Sequence, residues 1–592
     1  MAREWLSMPI QWLHGPRAPN PNSTSLHISE LSEQERNLLL SKFHYYYTSD
    51  WDWGLPTIEF FCAGIGLIIV CSAIFRIRGR RARTMRSNSV THAVPGLLDR
   101  LTAAARYTVA QQYRVPLFGW YSPPLGAIIV IAGIFTFLMG FMLSVRPYYW
   151  SNPLMGHSPP IATRTGWISL GIMPFMFAFS TKVNWVGLLT ETSHEKLQVF
   201  HRWTALFMYI TSLVHTFPFI VARIRDGTME VNWRTGNFYW TGVAALVPQT
   251  WLIFMSWGIV RNRYYEFFKK MHMIAGVLFM MFLFVHVNGQ LYSWDYFLAT
   301  FAIYFSAFFI RNLKTLYNGF ALPASLQTLP DGMLKLNVTT PARVKWAPGQ
   351  HFIIRFLHLG IHAFSSHPFT VASIASRDGE QSDLELVFAA QGGITKRLKD
   401  VVAGKPSKAF KVWIDGPYGG PPVSVSQYDR VYLMAGGSGV AFTLALLRDL
   451  TQRARKGELK CTHVEFILAV KKSETLLWME DEFAGARAHG IAIQLHVTQP
   501  GHDIKREKSV DVEDDSIDDK SMEKPIAYGR PNLPAIVYQV CRTQQGTIAI
   551  AACGPASFLY DLRNAVADCQ LAIADGYGRC KDLYLHTETF SW

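Results

Sequence analysis

Two apolar stretches of this chain each carry a pair of histidines fourteen residues apart: His201 and His215 in "FHRWTALFMYITSLVHTF", His272 and His286 in "MHMIAGVLFMMFLFVHV". Both stretches are apolar enough for lipid, where an imidazole is costly to bury. A helix turns about 100° per residue, so this spacing falls about 40° short of four turns and brings both rings of a pair to one face. Each pair is spread over about 21 Å of axis, one ring near each boundary of a hydrocarbon core about 30 Å thick. A single apolar run lies between the two helices, so they point the same way; His201 is level with His272, and His215 with His286. Imidazoles facing each other at two heights predict two b-type haems, each held by axial nitrogen ligands from both sides. The bland reading of any one of these residues is a buried histidine satisfied by a neighbour; the matched spacing favours ligation. Arg202, beside the inner pair, is placed either to meet a haem propionate or to snorkel to the boundary. His157 and His194 fall in loops and are not haem candidates.

The composition fits a membrane chain, with 49% hydrophobic residues among 592 and a formal net charge of +14. Runs near 57–75, 123–144, 166–181, 198–220, 239–260, 271–289 and 294–310 are each about long enough to cross the core, which makes about seven spans. Basic residues gather at 76–86, 261–270 and 311–314, all on one face if the spans alternate, and mark that face as cytoplasmic. Membrane lipid is therefore the expected partner of the basic balance, and no nucleic acid is expected. The segment 1–56 is then extracellular, with the sequon Asn22-Ser23-Thr24 open to glycosylation, while Asn337-Val338-Thr339 lies on the wrong side to be used. "MAREWLSMPIQWLHG" lacks the continuous apolar core of a signal peptide, so the first span is expected to direct insertion. The seven cysteines read as free thiols: five fall in the half assigned to the reducing cytosol, and no CxxC pair suggests zinc.

From about Leu316 the chain alternates short β-like runs with Gly/Pro turns and helical stretches, as a water-soluble region does. "WAPGQHFIIRF", "HPFTVAS" and "QGGITKRL" read as strand, turn, strand, loop and helix start; the bare amides of Gly392-Gly393 with the charge of Lys396 suit a phosphate. "DGPYGG" (415–420) is a tight turn. In "RVYLMAGGSGVAFTLALLRDL" an apolar strand runs through glycines into an amphipathic helix, the context in which a glycine-rich loop carries meaning. In "GTIAIAACGPASFLYDLRNAV" Cys553-Gly554-Pro555 stands at the carboxyl end of a strand, where open α/β sheets bind ligands. Cys553 reads as a small packing residue beside a nicotinamide or, less favoured, as a reactive thiol. The charged stretch 502–524 reads as a disordered insertion.

Taken together and in this order, these motifs resemble the fungal ferric reductases of the flavocytochrome b family, whose wider membership includes the NADPH oxidases. The resemblance implies a multi-domain membrane protein with an all-α transmembrane haem bundle (57–315), a cytosolic β-barrel FAD domain (316–425) and a ferredoxin-reductase-like α/β NAD(P)H domain (426–592). His201, His215, His272 and His286 match the family's haem ligands. His367, Pro368, Phe369 and Thr370 match its flavin-ring motif, and Gly393 with Thr395 its flavin pyrophosphate loop. Gly436, Gly437 and Gly439, with Cys553, Gly554 and Pro555, match the reduced-nicotinamide site. Lys471 and Lys472 stand where relatives often have an arginine and an acid, and their charge favours NADPH. Trp592 matches the terminal aromatic that stacks on the flavin ring as a lid in related flavoproteins; packing on the domain surface is the bland alternative.

The implied route runs from cytosolic NADPH through FAD, the inner haem and the outer haem to Fe(III), chelated or free, or Cu(II) outside the cell. The plasma membrane and iron-uptake partners follow from the same resemblance. An extra span ahead of the six-helix haem core favours a metalloreductase over the rival reading, an oxidase that makes superoxide from O₂. Intact nucleotide loops argue against a non-catalytic haem-binding subunit. No carboxylate cluster on the outer loops identifies a metal site; Asp226 and Glu230 are the candidates there, and neither is favoured.

Overall fold

A computed structural model of the chain describes residues 30–42, 50–86, 95–155, 158–289, 292–360, 363, 365–376, 380–403, 407–499 and 526–589. Asn22, His157, the insertion 502–524 and Trp592 lie outside the described residues. The chain divides into two compact units, Met1–Gly79 with Ile129–Ile310 and Arg80–Ile128 with Arg311–Trp592.

The long helices of the N-terminal half are α1 (Leu55–Arg86), α2 (Leu97–Ala110), α3 (Leu125–Leu143), α4 (Pro160–Ser180), α5 (His194–Arg225), α6 (Asn237–Met255), α7 (Tyr265–Val287) and α8 (Ser293–Asn318). Among the described residues six helices are long and apolar enough to cross a membrane, and they fall on α1, α3, α5, α6, α7 and α8. The run expected at 166–181 forms α4 but is not among the six. Its threonines, prolines and Arg164 dilute its hydropathy, and it is buried at nearly every position. A helix surrounded by protein has no need of a wholly apolar surface. Arg164 is completely buried; its Nη1 donates to the carbonyls of Met142 (2.6 Å) and Val145 (3.0 Å) at the end of α3, and its guanidinium lies 4.6 Å from the Trp53 ring. It supplies donors to carbonyls that the end of α3 leaves open. His194, expected in a loop, is the first residue of α5, with Nδ1 3.0 Å from the Thr181 carbonyl.

In the second unit, six antiparallel strands follow α8: β3 (Leu322–Thr328), β4 (Leu334–Thr340), β5 (His351–Phe356), β6 (His367–Thr370), β7 (Ser382–Phe388) and β8 (Ser407–Tyr418), in the order β6-β5-β8-β3-β4-β7. β1 (Arg114–Val115) and β2 (Trp120–Tyr121) form a hairpin earlier in the chain. An isolated bridge from Val371 to Leu386 brings the two outer strands together, so the sheet curls around Leu326, Leu336, Phe352, Phe356 and Leu386. The helix α9 (Gly393–Val402) turns Ile394, Leu398 and Val402 into the same core.

The rest is a six-stranded parallel sheet ordered β12-β11-β10-β9-β13-β14. Its strands are β9 (Arg430–Gly436), β10 (His463–Val470), β11 (Ala492–Val497), β12 (Ala527–Tyr528), β13 (Gly546–Cys553) and β14 (Cys580–Glu588), connected in part by α10 (Val440–Arg455), α11 (Glu480–Arg487), α12 (Leu533–Thr543) and α13 (Ala556–Asp575). The apolar runs of β9 and β13 are buried throughout, as central parallel strands must be. One hydrophobic cluster joins Met333, Ala372 and Val387 of the curled sheet to Val440, Phe442 and Leu446 of the α/β sheet, so the two domains share a core. A segment inside the 57–315 range expected for the bundle, α2 with the β1/β2 hairpin, belongs to this second unit.

Arg448 of α10 crosses the same junction. It meets Glu385 of β7 at 3.1 Å, Glu482 of α11 at 2.6 Å and the Ala372 carbonyl at 2.8 Å, and Lys335 adds a 2.8 Å contact to Glu385. The two carboxylates hold the guanidinium above its ordinary pKa against the opposing effect of burial. Removing one member of such a set strands the others. Arg448→Met is expected to destabilise the soluble half by about 3 kcal/mol, read as a lower melting temperature of flavin fluorescence. The double variant Arg448→Met/Glu385→Leu should recover part of that loss; additive losses would contradict a shared network.

Candidate redox sites

In the bundle, α5 lies along α4 and α7 along α6, so each histidine-bearing helix has a partner helix behind it. The ring centroids of His201 and His272 are 6.4 Å apart and those of His215 and His286 6.0 Å, with planes at 68° and 81°. An iron held between two imidazoles needs about 6 Å between centroids, made of two metal–nitrogen bonds of roughly 2 Å and the half-width of each ring.

The partner helices fix which nitrogen faces inward. His201 Nδ1 is 2.9 Å from the Met176 carbonyl and His215 Nδ1 2.7 Å from the Ala162 carbonyl, both on α4. His286 Nδ1 is 3.0 Å from the Phe238 carbonyl of α6, and His272 Nδ1 is 3.4 Å from the Oγ of Ser256, the residue that follows α6. A carbonyl only accepts, so three of these imidazoles carry their proton on Nδ1 and keep a lone pair on Nε2, the state a metal ligand needs. Met176 and Ala162 are themselves fourteen residues apart, the interval of the histidines they hold on the neighbouring helix. Two glycines make room: a Cβ on Gly166 would lie 2.7 Å from His215 Nδ1, and one on Gly242 3.0 Å from the His286 ring. These carbonyls and glycines were not singled out in the sequence, where only the glycines leave a visible trace. Arg202 is exposed beside His201.

In the soluble half, the chain leaves β9, works outward to β12 and returns to β13 on the other side, so the order reverses between β9 and β13. Ligands of open α/β sheets bind at such a switch point, at the carboxyl ends of the strands. Gly436 and Cys553 end those two strands, so the Gly436-Gly437-Ser438-Gly439 turn meets Cys553-Gly554-Pro555. The approach is too close for side chains: a Cβ on Gly439 would fall 2.2 Å from the Cys553 carbonyl oxygen and one on Gly436 2.9 Å from Pro555. Gly437 has φ +57°, which favours glycine for a second reason.

Cys553 is fully buried, and burial with the nearby Glu588 carboxylate pushes its thiol well up. A thiol held neutral in that way favours the packing reading over the reactive one. The strands align Cys553 with Glu588; His586 Nε2 is 2.9 Å from Glu588 Oε1, and the His586 ring is stacked with Phe442 at 5.6 Å. These three residues were missed in the sequence, though "HTE" precedes the terminal aromatics. Lys471 and Lys472 follow β10 and are exposed.

His367 to Thr370 form β6. Phe369 is buried in the curled sheet, 4.4 Å from the Phe388 ring, so strand alternation leaves Pro368 and Thr370 on the other face. Gly393 begins α9 with φ +53°, and Thr395 Oγ1 donates to the Gly392 carbonyl at 2.9 Å and accepts from the Gln391 amide at 3.2 Å, at an exposed helix start of the kind that suits an anion.

A bundle of membrane-crossing helices carrying facing histidine pairs, continued by a curled antiparallel sheet and a parallel α/β sheet with a glycine-lined switch point, defines an integral membrane protein with a two-sheet soluble half. Residues 165–286, which contain all four histidines, match the family described as "Ferric reductase like transmembrane component". Residues 318–422 match "FAD-binding domain" and 428–567 "Ferric reductase NAD binding domain". These three segments, in this order, make the chain similar to ferric reductases, and its curated relatives are fungal. It is 35% identical over 383 residues to the probable cell surface ferric reductase kap2 of Aspergillus oryzae, covering 61% of this chain and 50% of that protein. It is 27% identical over 401 residues to the ferric/cupric reductase transmembrane component 7 of Saccharomyces cerevisiae, covering 65% and 62%. With the ferric/cupric reductase transmembrane component 1 of Candida albicans the identity is 24% over 533 residues, covering 84% and 68%. The chain thus spans between half and two thirds of the length of these first two relatives.

The contact between the two loops yields a test. A methyl group at position 439 has backbone as its neighbour and nothing flexible to displace. Gly439→Ala is expected to lower nicotinamide-driven flavin reduction by at least about a hundredfold while FAD content stays at the wild-type level. Stopped-flow absorbance of the flavin checks it.

Proposed function

We propose that the protein carries electrons from cytosolic NADPH across the membrane to Fe(III), free or chelated, or to Cu(II), at the outer face. The observation that carries the proposal is the double histidine pairing: two levels of a membrane bundle, each with imidazoles about one iron apart, in one chain with FAD- and NAD-binding domains. The nicotinamide supplies hydride, FAD accepts two electrons and releases them singly, and haem iron carries one at a time.

The chain's own residues bind and orient. His201 with His272 would hold the inner haem and His215 with His286 the outer one, each imidazole aimed by its Nδ1 partner. The α9 amides with Thr395 and Lys396 would hold the flavin pyrophosphate, and Pro368 and Thr370 would border the ring. His367 begins the same strand. Gly436, Gly437, Gly439, Gly554 and Pro555 would admit the nicotinamide, with Cys553 as the small residue packed at that site. Lys471 and Lys472 would meet the additional phosphate of NADPH. Trp592, outside the described residues, would serve as the lid over the flavin that the resemblance implies.

This reading places segment 1–56 outside with a glycan at Asn22, residues 57–315 in the plasma membrane apart from the α2 segment, and 316–425 and 426–592 in the cytosol as flavin and nucleotide domains. The cell-surface name of the Aspergillus relative and the basic clusters at 76–86, 261–270 and 311–314 support that orientation. Iron-uptake proteins are the partners it implies.

His201→Ala or His272→Ala should abolish reduction of a ferric chelate by purified protein and lower haem content, while FAD-dependent dye reduction continues. Wild-type haem stoichiometry in both variants would overturn the ligand assignment. The wild-type assay is run with and without O₂ and superoxide dismutase; chelate reduction that needs O₂ and disappears with dismutase would make superoxide the product.

A further inference from the structure

The segment made of α2 and the β1/β2 hairpin binds neither nucleotide in the reading above, yet it is built into the nucleotide-binding domain. Ala103 is buried in the same cluster as Leu562, Val566, Ile573 and Leu583. Arg100 Nε donates to the Ala574 carbonyl at 2.6 Å, Arg106 pairs with Asp582, and the Tyr121 ring lies 5.0 Å from Tyr560. The segment is an arm laid along α13, reaching β14.

The arm leads to Gln112, only 8% exposed. Its backbone exchanges two hydrogen bonds with the Asn564 amide, N to Oδ1 at 3.0 Å and O from Nδ2 at 3.2 Å. Its side-chain Nε2 donates to the Ser122 carbonyl at 2.8 Å, which leaves Oε1 to accept from Arg563 Nη1 at 3.2 Å. The other side of that guanidinium reaches the end of the sheet, where Nε and Nη2 both donate to Thr587 Oγ1, at 3.1 and 2.6 Å. Thr587 lies between His586 and Glu588, and Glu588 is the residue aligned with Cys553. β14 is an edge strand with β13 as its sheet neighbour, and the last residues of an edge strand fray unless something holds them. A guanidinium is suited to this: its planar fork fixes two directions at once and keeps its charge even where burial lowers its pKa, as burial does here.

We propose that Arg563 is a positioning residue for hydride transfer: braced by Gln112 of the arm, it fixes Thr587 and so holds the end of β14 against Cys553-Gly554-Pro555. The arm is thereby a working part of the nicotinamide site, although it is encoded between the first two apolar runs. The inference rests on the nicotinamide reading of that site and is independent of the final electron acceptor.

The test uses full-length protein in lipid discs and follows anaerobic flavin reduction by NADPH in a stopped-flow instrument. Gln112→Met and Arg563→Met are each expected to slow flavin reduction at saturating NADPH by about tenfold, with FAD content unchanged and at a temperature well below the melting point of each variant. The double variant should be no slower than the worse single one, because both substitutions break one relay. Gln112→Glu, which keeps an acceptor for Arg563, should return most of the rate. Unchanged rates, additive losses, a Gln112→Glu variant as slow as Gln112→Met, or slowing that follows FAD loss would each overturn the proposal. Wild-type protein whose flavin is reduced by NADPH but which leaves ferric chelate untouched would defeat the metalloreductase reading alone. A wild-type flavin that NADPH does not reduce would defeat both.

Discussion

The hydrogen bonds from imidazole Nδ1 atoms to neighbouring helices decide what the membrane half can do. A histidine in lipid-facing sequence has two nitrogens, and one left without a partner is costly to bury. Each of the four rings has a partner on or just past the adjacent helix, and a main-chain carbonyl serves for three of them. For those three the arrangement fixes the tautomer and leaves the lone pair on Nε2. It also explains why α4 is the least lipid-like helix of the set: its backbone holds two rings, its Gly166 gives one of them room, and Arg164 closes the end of α3. The opposing pairs stand one metal apart because the partner helices hold the rings, and the spacing within each helix only sets their heights.

The soluble half follows a similar logic with backbone in place of imidazole. At the switch point the two loops touch so closely that glycine is required at 436 and 439, where a side chain would collide with Cys553, Gly554 and Pro555. The core shared by Met333, Ala372 and Val387 with Phe442 and Leu446 ties the curled sheet to the α/β sheet. Arg448 adds charge to the same junction. A flavin ring and a nicotinamide must meet within a few ångströms for hydride to pass, so a fixed junction between the domains that hold them is a mechanical requirement of that chemistry.

Much of this was legible in the chain because it is periodic. The fourteen-residue interval translates directly into level rings, and the strand–glycine–helix pattern at 430–450 translates into β9, its turn and α10. What was not legible depends on groups common to all residues or on tertiary surroundings. The carbonyls of Met176, Ala162 and Phe238 carry no sequence signature. Phe369 belongs to a motif expected at the flavin ring, but strand parity turns it into the sheet core. Cys553 stands where expected, while the state of its thiol follows from burial and Glu588, which composition does not reveal. The amphipathic "LLDRLTAAARYTVA" gives no local sign that its apolar face belongs against α13, encoded more than four hundred residues later.

That last separation bears on how the halves of the chain depend on each other. Arg100 and Ala574 are 474 positions apart in sequence, and Gln112 and Asn564 are 452 apart. Closing so long a loop costs only slightly more than closing a short one, since the entropy grows with the logarithm of length. The contacts are therefore affordable at equilibrium even though the arm emerges long before α13 is made. Until then the arm has an apolar stripe and an unfilled set of donors, and the α/β domain lacks part of the cluster around Leu562 and Val566. The α/β domain is thus incomplete when cut at residue 316, because a piece of its core lies between the first two membrane-crossing helices. Insertion of those helices and completion of that core are linked through covalent connectivity.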